Sequence, residues 1–294
     1  MAPGSAAVIA ARVASDSGGL PSIRLVPGWL TTASNWSGQH GLLVSIREHV
    51  VYTVIAVVLA ALFAIPVGLV LGHTGRGGFA VAGLANAIRA VPAFGLMILL
   101  YVLVSPKINF HGGIGWLVPR GALGSFVPIE AMLVVLAVPP ILVNTYAGVQ
   151  AVDSAARDAA RGMGMTGRQV VTSVELPAAL PLVLAGVRSA VLQVIATATI
   201  AGYLPFLGGL GYQIFINGLP QINNTKVGYP AMLGAAVIVA ILAVVAELLL
   251  LGVEKLIVSP GLTGSYRPER RGRMLRQAQA GVPDAYSPQI QGET

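Results

Sequence analysis

The residues with a recognisable chemical arrangement lie between Asp153 and Pro177, a segment reading Asp-Ser-Ala-Ala-Arg-Asp-Ala-Ala-Arg-Gly-Met-Gly-Met-Thr-Gly-Arg-Gln-Val-Val-Thr-Ser-Val-Glu-Leu-Pro. The chemistry they suit is recognition of another protein. Asp153 is placed to cap a helix, since its carboxylate can accept backbone N–H bonds at the positive end of the dipole. Ala155 to Met163 is rich in strong helix formers. Gly164 then supplies a stop, and Thr166 can cap a second short helix through Ser173. Leu176-Pro177 is expected to end the unit, because proline interrupts a helix that begins before it. The alanines leave a thin surface able to enter a groove, framed by the charges of Asp158 and Arg161. A merely solvated loop has no need of small residues, a glycine hinge and a proline stop at these positions.

Bond-making chemistry finds no such arrangement. Asp153 and Asp158 stand five apart with no histidine near them, short of the convergent nucleophile and base that an active site requires. His40, His49, His73 and His111 are scattered without ligand spacing, and each reads as decoration of a loop or a span end. No cysteine is present to hold a metal or form a disulfide. A phosphate-cradling loop needs Gly-Lys-Ser/Thr, and none of Lys107, Lys226 and Lys255 follows a glycine. No catalytic residue, no metal site and no cofactor is therefore assigned, and nothing points to nucleic acid.

The elements that must carry this loop follow from charge. The 294 residues are 55% hydrophobic and only 10% charged, with a net charge of +7. A soluble domain carries roughly a quarter charged residues, so the composition excludes an ordinary globule, and its apolar richness excludes a disordered chain. Five apolar runs remain, at about 50–71, 79–104, 129–152, 178–204 and 231–253. Each is long enough at about 1.5 Å per residue to cross a ~30 Å hydrocarbon layer as a helix. None alternates as barrel strands would. The expected fold is all-α, a polytopic membrane protein with five transmembrane helices and the loop 153–177 between the third and fourth.

Lysine and arginine set the orientation. If the first span runs inward, the inner segments carry ten basic residues: Arg76, Arg157, Arg161, Arg168, Lys255, Arg267, Arg270, Arg271, Arg273 and Arg276. The outer segments carry six, Arg12, Arg24, Arg47, Lys107, Arg120 and Lys226. The loop and the C-terminus are accordingly expected in the cytoplasm. Residues 1–49 read as an external leader: Ala6 to Ala11 is too short for a signal peptide, 12–41 is loose, and Leu42 to His49 is an amphipathic lead-in at the interface. Residues 258–294 read as a disordered basic tail whose Arg267–Arg276 cluster favours anionic lipid.

Charges inside the spans are costly and generally need a partner or a route to the interface. Arg89, Arg188 and Glu247 lie at similar depth in the inner half. Either Glu247 pairs with Arg188 or Arg89, or both arginines snorkel independently. Pro92, Pro139 and Pro140 can break path-lining helices or be ordinary membrane-helix prolines. Asn144, Tyr146 and Gln193 are the polar candidates for the translocation path, with interhelical hydrogen bonds as the competing role. Gly208 and Gly209, in the turn after the fourth span, join that path list.

The loop resembles the EAA loop of permease subunits in ABC importers, whose pattern is E-A-A, three residues, G, nine residues, I-x-L-P. Here Asp158-Ala159-Ala160 is followed by three residues and Gly164, then nine residues and Val174-Glu175-Leu176-Pro177, with Asp for Glu and Val for Ile. The resemblance extends over roughly 42–257, with an Arg-x-x-Pro step from Arg89 to Pro92 and the Gly208-Gly209-Leu210-Gly211 turn. It implies a type I importer permease (MetI-like) fold, in which two permease subunits, identical or related, bind two cytoplasmic ATPase subunits. ATP and magnesium would sit on those partners. Carried onto this chain, Asp158, Ala159, Ala160, Arg161, Gly162 and Gly164 would dock the ATPase, and Leu176-Pro177 would join the loop to the fourth span. Asn144 to Gly148, Ala160 to Thr166 and Ala196 to Thr199 resemble osmoprotectant permeases for glycine betaine, choline, carnitine or proline. Another small polar solute such as an amino acid is the alternative. An ion-driven secondary transporter fits poorly, since it wants inverted repeats and buried acidic ion ligands. Quaternary ammonium capture favours an aromatic cage, yet Trp29, Trp36 and Trp116 fall outside the spans, so solute recognition is expected in a separate extracytoplasmic binding protein. The implied location is the bacterial cytoplasmic membrane.

Overall fold

The computed structural model describes residues 21–38, 40–107, 123–204, 208–222 and 227–258, and among these there is no β-strand. The early leader, His111, Trp116, Lys226 and the Arg267–Arg276 cluster lie outside the described residues. Among the described residues four helices are long and apolar enough to cross a membrane, and a sharply bent pair makes a fifth path when taken as one span.

Helix α1 (Pro21–Thr31) corrects the expectation of a loose leader. Its Trp29 and Leu30 pack with Leu42, Leu210 and Ile238, an apolar cluster that ties the segment to the rest of the chain. Helix α2 (Leu42–Thr74) absorbs the expected lead-in without a break. Leu42, Ser45 and His49 are buried in its first turns while Leu43 and Arg47 are exposed, so the segment is two-faced as expected but is the start of the first span's own helix.

The lower part of α2 is built for close contact. Ala56, Ala60, Ala64, Gly68 and Gly72 recur every four residues and are all buried, so the helix presents one narrow smooth ridge. A Cβ on Gly68 would stand 2.7 Å from Thr145 Cβ, and one on Gly72 would stand 2.6 Å from Val149 Cβ. The partner ridge belongs to α5 (Leu123–Gln150), the central helix, whose Ile129, Met132, Leu133, Ala137 and Ile141 are all buried. Pro139 and Pro140 lie inside α5 without ending it. Asn144 Nδ2 donates to the Pro140 carbonyl at 2.7 Å.

The second path is broken. Helix α3 (Gly78–Ala90) and helix α4 (Ala93–Val104) meet at 81° across Val91-Pro92. Proline pushes the residue before it into extended conformation, and Val91 has φ −73° and ψ 127°. The loop holds α6 (Ser154–Gly162) and α7 (Gly167–Val170), and α8 (Leu176–Ala201) follows. After it come α9 (Gly209–Tyr212), a π-helical stretch Gln213–Gly218, and the long outward-facing α10 (Gly228–Ile257).

Candidate functional site

The loop between α5 and α8 folds as two short helices at an elbow. Ala155 N–H donates to Asp153 Oδ1 at 2.9 Å, so the side chain caps α6. Gly164 has φ +83°, which an L side chain adopts only at a cost, and there the chain turns. Thr166 and Gln169 then form a reciprocal capping box, with Thr166 N–H donating to Gln169 Oε1 at 2.8 Å. Asp158, Ala159, Arg161, Gly162 and Gly164 are exposed on the elbow, and Met163 projects between them at 72% exposure. Arg161 lies 3.7 Å from Asp158 across one helical turn.

Three residues depart from the docking unit read from the sequence. Ala160 is buried on the inner side of α6, where its carbonyl accepts from Met165 N–H across the turn at 3.2 Å. Leu176 and Pro177 do not end the unit. The chain passes from α7 through a π-helical turn, Val171–Glu175, directly into α8. Leu176 N–H donates to the Val171 carbonyl, a five-residue step that widens the ladder just before the proline ring. Pro177 is thereby accommodated in the first turn of α8, where a missing N–H is tolerated. The second arm of the elbow, from Gly167, and the fourth span are one continuous helical run to Ala201.

Glu175 anchors that run. It is fully buried, with its Oε1 3.0 Å from Arg157 Nε and its Oε2 2.8 Å from His73 Nδ1. Arg157 belongs to α6 and also donates through Nη2 to the Val149 carbonyl near the end of α5. His73 belongs to the last turn of α2. Gln150 Nε2 donates to the Gly72 carbonyl at 2.6 Å beside them. One carboxylate thus joins the ends of α2 and α5 to α6 and the root of α8. Sequence reasoning missed this group because its three members are far apart in the chain. The available signal was a lone glutamate beside Leu-Pro at the edge of an apolar run. His73, read as span-end decoration, is part of the anchor. His49 is likewise internal, its Nε2 3.0 Å from the Ile195 carbonyl, and His40 stacks on Tyr212 at 4.8 Å.

The intramembrane charges separate into a set and a single. Arg188 Nε lies 3.4 Å from Glu247 Oε1, and Arg188 Nη1 lies 3.3 Å from Glu254 Oε2. Glu247 and Glu254 are two helical turns apart on α10, so one guanidinium from α8 spans both. Arg89 is exposed and has no ion pair among the described residues.

The other path candidates are dispersed. Pro92 stands at the break between α3 and α4. Asn144 turns to its own helix, as described. Tyr146 Oη comes so close to Gly78 that a Cβ there would stand 2.7 Å away. Gln193 is half-buried, and its carbonyl accepts from Thr197. Gly208 and Gly209 have φ +75° and +76°, and Gly209 N–H donates to Glu48 Oε2 at 2.8 Å. The glycine turn after the fourth span is therefore pinned to the top of α2.

Comparison with known proteins agrees with this architecture. Residues 64–258 match the family described as the binding-protein-dependent transport system inner membrane component. The glycine betaine/carnitine/choline transport system permease protein OpuCB of Bacillus subtilis (strain 168) is 32% identical over 223 residues, covering 76% of this chain and 91% of that protein. The choline transport system permease protein OpuBB of the same organism is 33% identical over 221 residues, covering 75% and 90%. In fold, the chain superposes on inward-facing structures of the MetNI methionine ABC transporter with a TM-score of 0.59 at 20% identity, over 74% of this chain and 96% of that one. A multi-span helical body, an elbow rooted in its fourth span and a family match over most of the chain converge: this protein belongs to the binding-protein-dependent transport system inner membrane components, the type I ABC importer permeases.

Proposed function

We propose that this chain forms the translocation path for a compatible solute such as glycine betaine, choline, carnitine or proline, and couples it to ATP hydrolysis in a separate subunit. The observation that carries the coupling is the elbow's continuity with α8 and its buried anchor at Glu175. A force applied to Asp158, Ala159, Arg161 and Gly164 from the cytoplasm has a rigid route into the bundle. Met163 would fill an apolar socket on the partner.

ATP and magnesium belong to two cytoplasmic ATPase subunits, in keeping with the lack of a Gly-Lys-Ser/Thr loop in this sequence. A second permease copy, identical or related, completes the path, and a separate extracytoplasmic binding protein delivers the solute. The C-terminus and the elbow lie on the cytoplasmic side of the bacterial inner membrane, as the excess of arginine there supports. Closure of the ATPases moves the elbows and rocks the helices between outward and inward access, a rigid-body switch driven from outside the chain. Glycine betaine, choline and carnitine are supported by the relatives whose names carry them, and proline by the resemblance in sequence to osmoprotectant permeases alone.

Two measurements test this. The complex is purified with its ATPase before and after Gly164→Asp; retained assembly in the variant defeats the docking role. Uptake of labelled glycine betaine is then compared with choline, carnitine and proline in proteoliposomes. No accumulation of any of the four defeats the solute class.

A further inference from the structure

Three aromatic rings from three elements meet at the broken second path. Phe94 stands in the first turn of α4, just past Pro92. Tyr203 follows the last turn of α8, and Phe215 lies in the π-helical stretch Gln213–Gly218. The Tyr203 ring centroid is 5.8 Å from Phe94 and 5.9 Å from Phe215, with interplanar angles of 65° and 85°. Tyr203 is 50% exposed and Phe94 44% exposed, so the group opens out of the chain's own core.

Both contacts with Tyr203 are edge-to-face, so each covers one side of one ring and leaves the opposite side of that π face open. A cation within about 6 Å of such a face is attracted without being ionically trapped. Trimethylammonium suits this chemistry, being large, weakly hydrated and unable to donate a hydrogen bond from nitrogen. Each ring can contribute roughly two- to thirty-fold in affinity. Attraction of that size lets a solute pause and leave, as passage requires.

The position is also right. Helix α8 begins at the elbow and runs 26 residues, about 39 Å at helical rise. Tyr203 therefore sits at the face of the membrane opposite the elbow, where a solute would enter. Its neighbours are the Pro92 break and the Gly208–Gly209 turn, both points where the backbone changes direction. The tryptophans that failed to supply a cage in the sequence are replaced by a set that tertiary contact assembles.

We infer that Phe94, Tyr203 and Phe215 form a cation–π station for the trimethylammonium head of the solute at the entrance of the path. This inference rests on the osmoprotectant reading above and assigns specificity to three of this chain's own side chains.

The test uses the complete complex, with its ATPase and binding protein, in proteoliposomes. Labelled choline is supplied below saturation, with 3,3-dimethylbutan-1-ol as its neutral isostere in competition. Tyr203→Phe keeps the ring and is expected to retain at least half of the uptake rate. Tyr203→Leu and Phe215→Leu are each expected to lower it about five-fold. Progressive ring fluorination at Phe94, which drains the π face with little change in shape, should lower uptake in graded steps, and the neutral isostere should compete poorly. Leucine variants at the wild-type rate, or a flat response to fluorination, would overturn the station while leaving the osmoprotectant reading standing. If the unaltered complex accumulates no trimethylammonium compound, that reading falls and the station with it. Co-purification with the ATPase reports assembly; should a leucine variant fail to assemble, the fluorinated series decides.

Discussion

Replacing Glu175 by glutamine removes one charge and almost no volume from the point where α2, α5, the docking helix and α8 are joined. With its charge about 4 Å from that of Arg157 and an effective dielectric near 20, the carboxylate gains about 4 kcal/mol from that pair. Part of this is returned on neutralisation, because a fully buried carboxylate carries a desolvation cost of several kcal/mol that the amide does not. Arg157 and His73 are 18% and 22% exposed, so water relieves some of their loss. The net weakening of the anchor is then about 1–3 kcal/mol, or about 5- to 150-fold in the balance between a seated and an unseated elbow. The expected phenotype is uncoupling. ATPase still co-purifies, since the exposed elbow surface is untouched, but the number of ATP hydrolysed per solute accumulated rises several-fold. Proteoliposome uptake and phosphate release, measured on the same preparation, give that ratio. A Glu175→Gln complex with the unaltered ratio would refute the idea that this carboxylate transmits the stroke. A double-mutant cycle with Arg157→Gln sharpens the test, because additive effects would mean that the two side chains do not act together.

Other expectations follow from the same contacts. At Gly164 the φ of +83°, with open space around it in this chain, adds backbone strain to whatever the docked partner excludes; Gly164→Val, at about 1–2 kcal/mol of strain, should reduce ATPase co-purification at least as far as Gly164→Asp does. Cycles pairing Arg188→Gln with Glu247→Gln and with Glu254→Gln should each give couplings of about 0.5–2 kcal/mol in thermal unfolding, whereas Arg89→Gln with Glu247→Gln should be additive. Gly72→Ala forces a methyl to within 2.6 Å of Val149 Cβ and should destabilise the folded protein in detergent by about 1–3 kcal/mol, read as a lower unfolding temperature.

The membrane character and the number of paths were legible because bilayer thickness and charge cost act residue by residue. Val50 to Leu71 has no charge to hide, and no partner is needed to know that it belongs in lipid. The elbow was legible for the same local reason. Asp153, Gly164 and Thr166 act on backbone groups only two or three residues away, so cap, stop and second cap follow from order in the chain. Local rules also misled where the outcome depended on a neighbour. Pro177 was expected to terminate a helix, but a π turn rooted by Glu175 carries the chain through it. Leu42 to His49 was expected as a separate lead-in, but it runs without a break into the helix of the first span, with Leu42 and His49 buried on one face.

Sequence alone determined that this chain crosses a bilayer several times and presents one hinged elbow between its third and fourth spans. Those properties are sums of short-range effects, hydrophobic length and helix capping, that survive without knowledge of what packs where. Tertiary structure alone decided that Glu175 meets Arg157 and His73, that Arg188 holds two acids of the last span while Arg89 holds none among the described residues, and that Phe94, Tyr203 and Phe215 share one corner. Each of these joins residues from different helices, and the pairing is set by which ridges fit together, as where Gly68 and Gly72 admit Thr145 and Val149. Close packing of small residues in lipid is a property of two surfaces at once, and no single stretch of chain encodes its result.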